Sequence, residues 1–141
     1  MIDQCLVKHW SKTQTTVSLS SGEAELPGIA YGASQALGLR SLLQDFGWPV
    51  EIRVHSDATA AIGICRRKGL GKIRHLATTD LWIQSKSRSR DITLLKTPGS
   101  ENPADVLTKY VPRDTMQKAL TKMGTYFWKG RPACAPAATG A

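Results

Sequence analysis

Long apolar runs are missing from this chain of 141 residues. No stretch approaches the roughly 18 consecutive apolar residues that crossing a bilayer requires, so no membrane segment is expected. The first residues, Met1, Ile2, Asp3 and Gln4, lack the basic-then-apolar order of a secretory leader. An intracellular, non-secreted protein is therefore expected. Cysteine is scarce as well: Cys5, Cys65 and Cys134 are odd in number and far apart, with no Cys-x-x-Cys and no Cys/His pair at metal spacing. Free thiols in a reducing compartment are expected, and zinc is not. What remains is an ordinary globular mixture of 41% hydrophobic and 21% charged residues. It excludes wholesale disorder, collagen-like repeats and coiled coil, and the length fits one domain.

Acid is the scarcer charge, with 11 Asp and Glu against 19 Lys and Arg, for a formal net charge of +8. Arg66, Arg67, Lys68, Lys72, Arg74, Lys86, Arg88 and Arg90 face a single acid in the same stretch, Asp80, so nearly the whole surplus lies there. Such a block attracts a polyanion, because neutralising phosphates releases condensed counterions. Trp82 within it has the chemistry to stack on a base or sugar; the plainer reading is a solvated helix face with a buried Trp.

Residues Cys5–Trp10 and Thr15–Leu19 read as an extended segment, kinked or paired on itself. Ser20 and Ser21 are helix caps, and Glu23 and Glu25 enrich a first turn. Leu26, Ile29, Ala30, Ala33, Leu37, Leu42, Leu43 and Phe46 recur at helical spacing, and Gly47 with Pro49 stops the run. A long amphipathic helix over about 22–46 follows. Pro27 is harmless if that helix starts near Glu25; a start at Ser21 loses a backbone bond. Val50, Ile52 and Val54 alternate with polar residues as a strand that runs into Asp57. A short helix is expected over Ala58–Cys65 and another over Ile73–Ser85. A basic loop is expected over Ser85–Arg90, a strand over Ile92–Leu95, a helix start at Asn102-Pro103 and a last helix from Asp114 to Met123. Trp10 and Trp48 read as core or sheet-edge packing. The alternation argues an α/β class, in which sites sit at the carboxyl ends of strands.

Glu25, Asp57 and Asp105 all fall at element ends. Carboxylates converging on one point repel unless cations neutralise them, and hard Mg²⁺ ions suit oxygen ligands. Two such ions can activate water and stabilise a leaving oxygen in phosphodiester cleavage. The plain alternative is that an acid in a helix's first turn only complements the dipole.

Four stretches carry a resemblance. The first is Trp10-Ser11-Lys12 with Gln14, Val17, Leu19-Ser20-Ser21 and Glu23-Ala24-Glu25. The second is His55-Ser56-Asp57-Ala58. The third is Lys72-Ile73-Arg74-His75-Leu76. The fourth is Pro98-Gly99-Ser100-Glu101-Asn102-Pro103-Ala104-Asp105, continuing through Val106-Leu107-Thr108-Lys109. In this order they resemble the ribonuclease H domain that follows the reverse transcriptase in copia-type LTR retrotransposon Pol polyproteins. The resemblance covers about residues 5–123.

It implies a ribonuclease H-like mixed sheet flanked by helices, here without its first two strands. Residues 1–123 would form this partial domain and 124–141 a disordered tail. The implied reaction is hydrolysis of the RNA strand of an RNA–DNA hybrid with two Mg²⁺ ions held by four carboxylates. Glu25, ahead of Glu23, matches the helix Glu; Asp57 matches the Asp at a strand end; Asp105 matches the Asp of the last helix. His75 fits a Lys-x-x-His-type motif, with a phosphate or the leaving group as its implied contact. Arg66, Arg67, Lys68, Lys72, Arg74, Lys86 and Arg88 would face the hybrid's phosphates, which position substrate without reading sequence. The fourth carboxylate would lie upstream of Met1, beside a reverse transcriptase domain in the parent polyprotein. No loop His precedes Asp105. The expectation is a chain inactive by itself, and the alternative is a non-catalytic basic module that binds nucleic acid.

Overall fold

The computed structural model describes residues 1–2, 5–14, 18, 20–69 and 78–125. They divide into two compact units, one of Lys12–Asn102 and one joining Met1–Ser11 to Pro103–Ala141. Among the described residues the architecture is mixed α/β, with four α-helices and a two-stranded parallel sheet.

In the larger unit, α1 spans Ser21–Asp45, β1 Arg53–Ser56, α2 Thr59–Arg66, α3 Thr78–Arg88 and β2 Thr93–Lys96. Ser20 caps α1 as expected, its side chain accepting the Glu23 N–H. The helix starts early enough to enclose Pro27, so it runs through a residue with no N–H and one ladder bond is missing. Leu26, Ile29, Ala30 and Ala33 are buried at i, i+3, i+4, i+7 spacing. They share a core with Ala61, Ile62, Ile64 and Cys65 of α2, Ile83 of α3 and Leu94 of β2. Each of the larger side chains buried there contributes about 1.5–3 kcal/mol. Gly47, at φ 78, turns the chain out of α1: its N–H donates to the Gln44 carbonyl and the Trp48 N–H to that of Leu43.

β1 and β2 are parallel and in register from Arg53 opposite Thr93 to Ser56 opposite Lys96. Parallel strands need a crossover, which α2 and α3 provide. The strand expected over Val50–Val54 therefore begins at Arg53 instead. The Thr93 N–H donates to the Ile52 carbonyl and the Thr97 N–H to that of Ser56, so the ladder extends only as far as β2 reaches.

Two further expectations are corrected. The loop expected over Ser85–Arg90 is helical as far as Arg88, and the turn is made by Arg90 at φ 60. Ser85, Ser87 and Arg88 keep side chains at or near the surface, which a helix accommodates as readily as a loop. Leu42, Phe46 and Trp48, read as apolar packing, are 51%, 69% and 66% exposed. With 25 residues in α1 against 8 in α2 and 11 in α3, the lengths are ~37, ~12 and ~16 Å at the α-helical rise. Among the described residues α1 is the longest helix. Trp10 is likewise 38% exposed, whereas Trp82 is half-buried against the core.

In the smaller unit, Pro103–Leu107 forms a 3₁₀ helix and α4 spans Arg113–Lys122. Gly124, at φ 64, ends α4 where the sequence indicates. Cys5 makes an isolated antiparallel bridge with Ile2, and the Leu6 N–H donates to the Met123 carbonyl; residues 6–14 form no strand. The expected tail lies almost wholly outside the described residues. No described helix is long and apolar enough to cross a membrane.

Two contacts fix the larger unit and can be tested. A Cβ on Gly22 would sit 2.8 Å from the Ala60 Cβ, a distance that neither helix can absorb by side-chain rotation. Gly22→Ala is expected to lower the unfolding free energy by about 1–3 kcal/mol in urea titrations; parent-like stability would contradict the contact. Asp91 accepts from Lys86 Nζ at 2.9 Å, Ser89 Oγ at 2.9 Å and Arg40 at 3.4 Å. Lys86 most of all, then Ser89 and Arg40, holds its carboxyl down at about 2 from an ordinary 3.8. A depressed folded-state pKa contributes stability that is in place above about pH 4 and is lost as the pH falls toward 2. Asp91→Asn is expected to flatten that acid limb when unfolding is followed by circular dichroism. An unchanged limb would contradict the ion pairing.

Candidate functional site

The C-terminal end of β1 and the first turns of α1 and α2 enclose an open hollow of about 340 Å³. Ser21, Gly22, Glu25, Asp57, Ala58, Thr59 and Ala60 line it. Asp57 is delivered by β1, whose last residue, Ser56, is buried. The Ser56 hydroxyl accepts the Ala58 N–H at 3.2 Å and turns the chain from strand into α2. Gly99 approaches from the loop after β2, where a Cβ would come within 3.3 Å of Asp57 Oδ2. A bare backbone there leaves room for the carboxylate. Glu25 comes from the capped end of α1, and of the two candidate glutamates it is Glu25, not Glu23, that lines the hollow. Pro27, two residues on, does not turn the helix away.

The side-chain donors in this lining are two carboxylates and the hydroxyls of Ser21 and Thr59. Among the described residues the lining has no nitrogen or sulfur ligand and no cationic side chain, and two carboxylates of this kind suit a hard cation. Mg²⁺ is commonly held by one or two carboxylates while it keeps water and binds substrate phosphate. The donor set fits that pattern. The helix N-termini beside the hollow also favour negative side chains without any ion.

Asp105 belongs to the smaller unit, in the Pro103–Leu107 helix, and its Oδ1 accepts from Lys109 Nζ at 3.1 Å. His75, Lys72 and Arg74 lie outside the described residues. Among the described residues no group of three or more His, Cys, Asp or Glu is gathered as metal ligands would be.

The basic block is less uniform than its composition. Arg66 donates to the Leu94 carbonyl at 2.6 Å, Lys86 is ion-paired with Asp91, and Arg88 Nε donates to the Gln84 carbonyl at 3.4 Å. Arg67 is half-buried and Lys68 exposed. Reading the block by charge alone missed Asp91, which stands one residue beyond it. It also missed Gln84, 1% exposed, among the few buried polar side chains. Cys65 is buried, and burial first, then the Asp80 charge, pushes its thiol up to about 11. It is inert as a nucleophile near neutral pH. His55 Nδ1 lies 2.9 Å from Thr97 Oγ1, a contact that its lack of any sequence signal did not anticipate.

The geometry thus defines an α/β unit with an acidic hollow at a strand's carboxyl end. Over 118 residues, 82% of its length, the chain is 30% identical to the retrovirus-related Pol polyprotein from transposon TNT 1-94 of Nicotiana tabacum. It spans 9% of that polyprotein, and the similarity supports an origin in a retrotransposon Pol polyprotein. No family model and no solved structure matches the chain.

Proposed function

We propose that the chain is a ribonuclease H-type domain of a retrotransposon Pol polyprotein, acting on the RNA strand of RNA–DNA hybrids. The observation that carries the reading is the meeting of Glu25 and Asp57, from elements far apart in the chain, in one hollow lined by oxygen donors. The order of the four sequence stretches and the similarity to a Pol polyprotein support it. In this reading Glu25 and Asp57 would hold Mg²⁺. A divalent ion bound there would supply an activated water and neutralise charge in phosphodiester hydrolysis. The chain's own part is to aim the carboxylates: Gly22 and the Ser20 cap fix Glu25, and the Ser56 hydroxyl and Gly99 fix Asp57. His75 would contact a phosphate or the leaving group. Arg67 and Lys68, with Lys72 and Arg74, would bear on the hybrid's phosphates. A reverse transcriptase domain in the parent polyprotein is the proposed neighbour. The non-catalytic alternative draws support from the absence of a three-ligand cluster among the described residues.

Mn²⁺, titrated into the chain and followed by water proton relaxation, reports on such a centre. Asp57→Asn and Glu25→Gln are each expected to weaken its binding roughly tenfold or more, with circular dichroism unchanged. A labelled RNA–DNA hybrid in Mg²⁺ then separates the two readings. A Mn²⁺ site without cleavage is the outcome expected of the chain by itself and supports a nuclease domain completed in the parent polyprotein; RNA-strand cleavage abolished by Asp57→Asn would overturn the expected inactivity. Hybrid binding with no Mn²⁺ site and no cleavage supports the binding module. Mn²⁺ affinity indifferent to both substitutions would refute the acidic centre.

A further inference from the structure

We infer that Gln84 is a positioning residue that presents Arg67 and Lys68 to the phosphates of a bound RNA–DNA hybrid, while Arg66 serves the fold. The inference rests on the nucleic-acid reading above and adds which cations of the block bear on the ligand and what holds them in place.

Gln84 lies on α3, 1% exposed. Its Nε2 donates to the Ile64 carbonyl at 3.0 Å and to the Gly69 carbonyl at 3.1 Å. Its Oε1 accepts the Gly69 N–H at 3.1 Å. Both amide hydrogens and the amide oxygen are thus engaged, as a buried glutamine requires. The carbonyl of Ile64 belongs to α2, and Gly69 stands past the helix end at φ 78. A single side chain therefore ties both ends of the segment that carries Arg66, Arg67 and Lys68.

Arg66 is held separately. Its guanidinium donates to the Leu94 carbonyl of β2 at 2.6 Å, which fastens the last turn of α2 to the sheet. Between these anchors, Arg67 is half-buried and Lys68 exposed. Without the clamp, a glycine-ended polar segment would have many conformations, and a ligand would bear the entropy of ordering it. With the clamp the two cations are held in one arrangement before binding. Phosphate contacts of this kind depend on charge and position, not on base identity.

The full chain, titrated with a fluorescently labelled RNA–DNA hybrid at several salt concentrations, tests this by anisotropy. Lys68→Gln is expected to lower affinity roughly three- to tenfold and to reduce the log–log salt slope by about 1. Gln84→Met keeps the volume and removes the hydrogen bonds; it is expected to lose similar affinity and slope. The Gln84→Met/Lys68→Gln double variant is expected to lose little more than either single variant. Gly69→Ala strains the same segment from its surface side, where an added Cβ meets nothing within 4 Å. It is expected to weaken binding in the same direction, and it serves if the buried substitution prevents folding. A Gln84→Met or Gly69→Ala chain that loses thermal stability but keeps parental affinity and salt slope overturns the inference and reduces Gln84 to a structural residue. A parent chain with no hybrid affinity also overturns it, whereas the acidic centre is decided separately by the Mn²⁺ titration.

Discussion

Gly22 and Ala60 bring the first turns of α1 and α2 together so closely that not even a methyl group fits between them. Every feature of the hollow follows from that approach. Glu25 is one helical turn beyond Gly22, and Asp57 is just ahead of α2. Closing the two helix starts on each other therefore brings an acid from each side to one hollow. A larger residue at position 22 would wedge α1 away and would separate the carboxylates as well as loosen the core. The same contact serves packing and site geometry, and the core beneath it, from Leu26 to Cys65, keeps the arrangement rigid.

The distribution of charge is a second constraint. The excess of positive charge in the sequence does not become a uniform cationic surface, because Asp91 engages Lys86 and Arg40, and the Leu94 carbonyl engages Arg66. Those cations hold the α3–β2 turn against α1 and α2 against the sheet. Asp91 offsets one of the two charges of Lys86 and Arg40, whereas the Leu94 carbonyl orients Arg66 without cancelling its charge.

The sequence was most legible where a local signal and the tertiary structure agree. The Ser20 cap, the spacing of Leu26, Ile29, Ala30 and Ala33, and the stop at Gly47 all describe α1 correctly because each acts within a turn or two of chain. Asp57 was legible for a similar reason, as an acid directly after an alternating strand. Boundaries set by a distant partner were not. β1 starts at Arg53, where its register with β2 begins, and Leu42 and Phe46 are exposed although they continue the helical spacing of the buried Leu26 and Ile29. Gln84 had no signal at all. A glutamine on a mixed helix is usually solvated, and only the placement of Ile64 and Gly69 against α3 makes it a buried clamp.

The reading of the hollow as a cation centre also accounts for a juxtaposition that would otherwise be unfavourable to a polyanion. In that reading a phosphodiester held by the basic segment would meet Glu25 and Asp57, and like charges at close range repel most strongly where water is excluded. A divalent cation between them reverses the sign of that interaction. Cation and hybrid would then strengthen each other's binding by the same factor, as linkage requires of any two ligands that share one site. In this reading the acidic hollow and the basic segment act as one apparatus. Arg67 and Lys68 would draw the backbone near, and the carboxylates would make its final approach conditional on the metal.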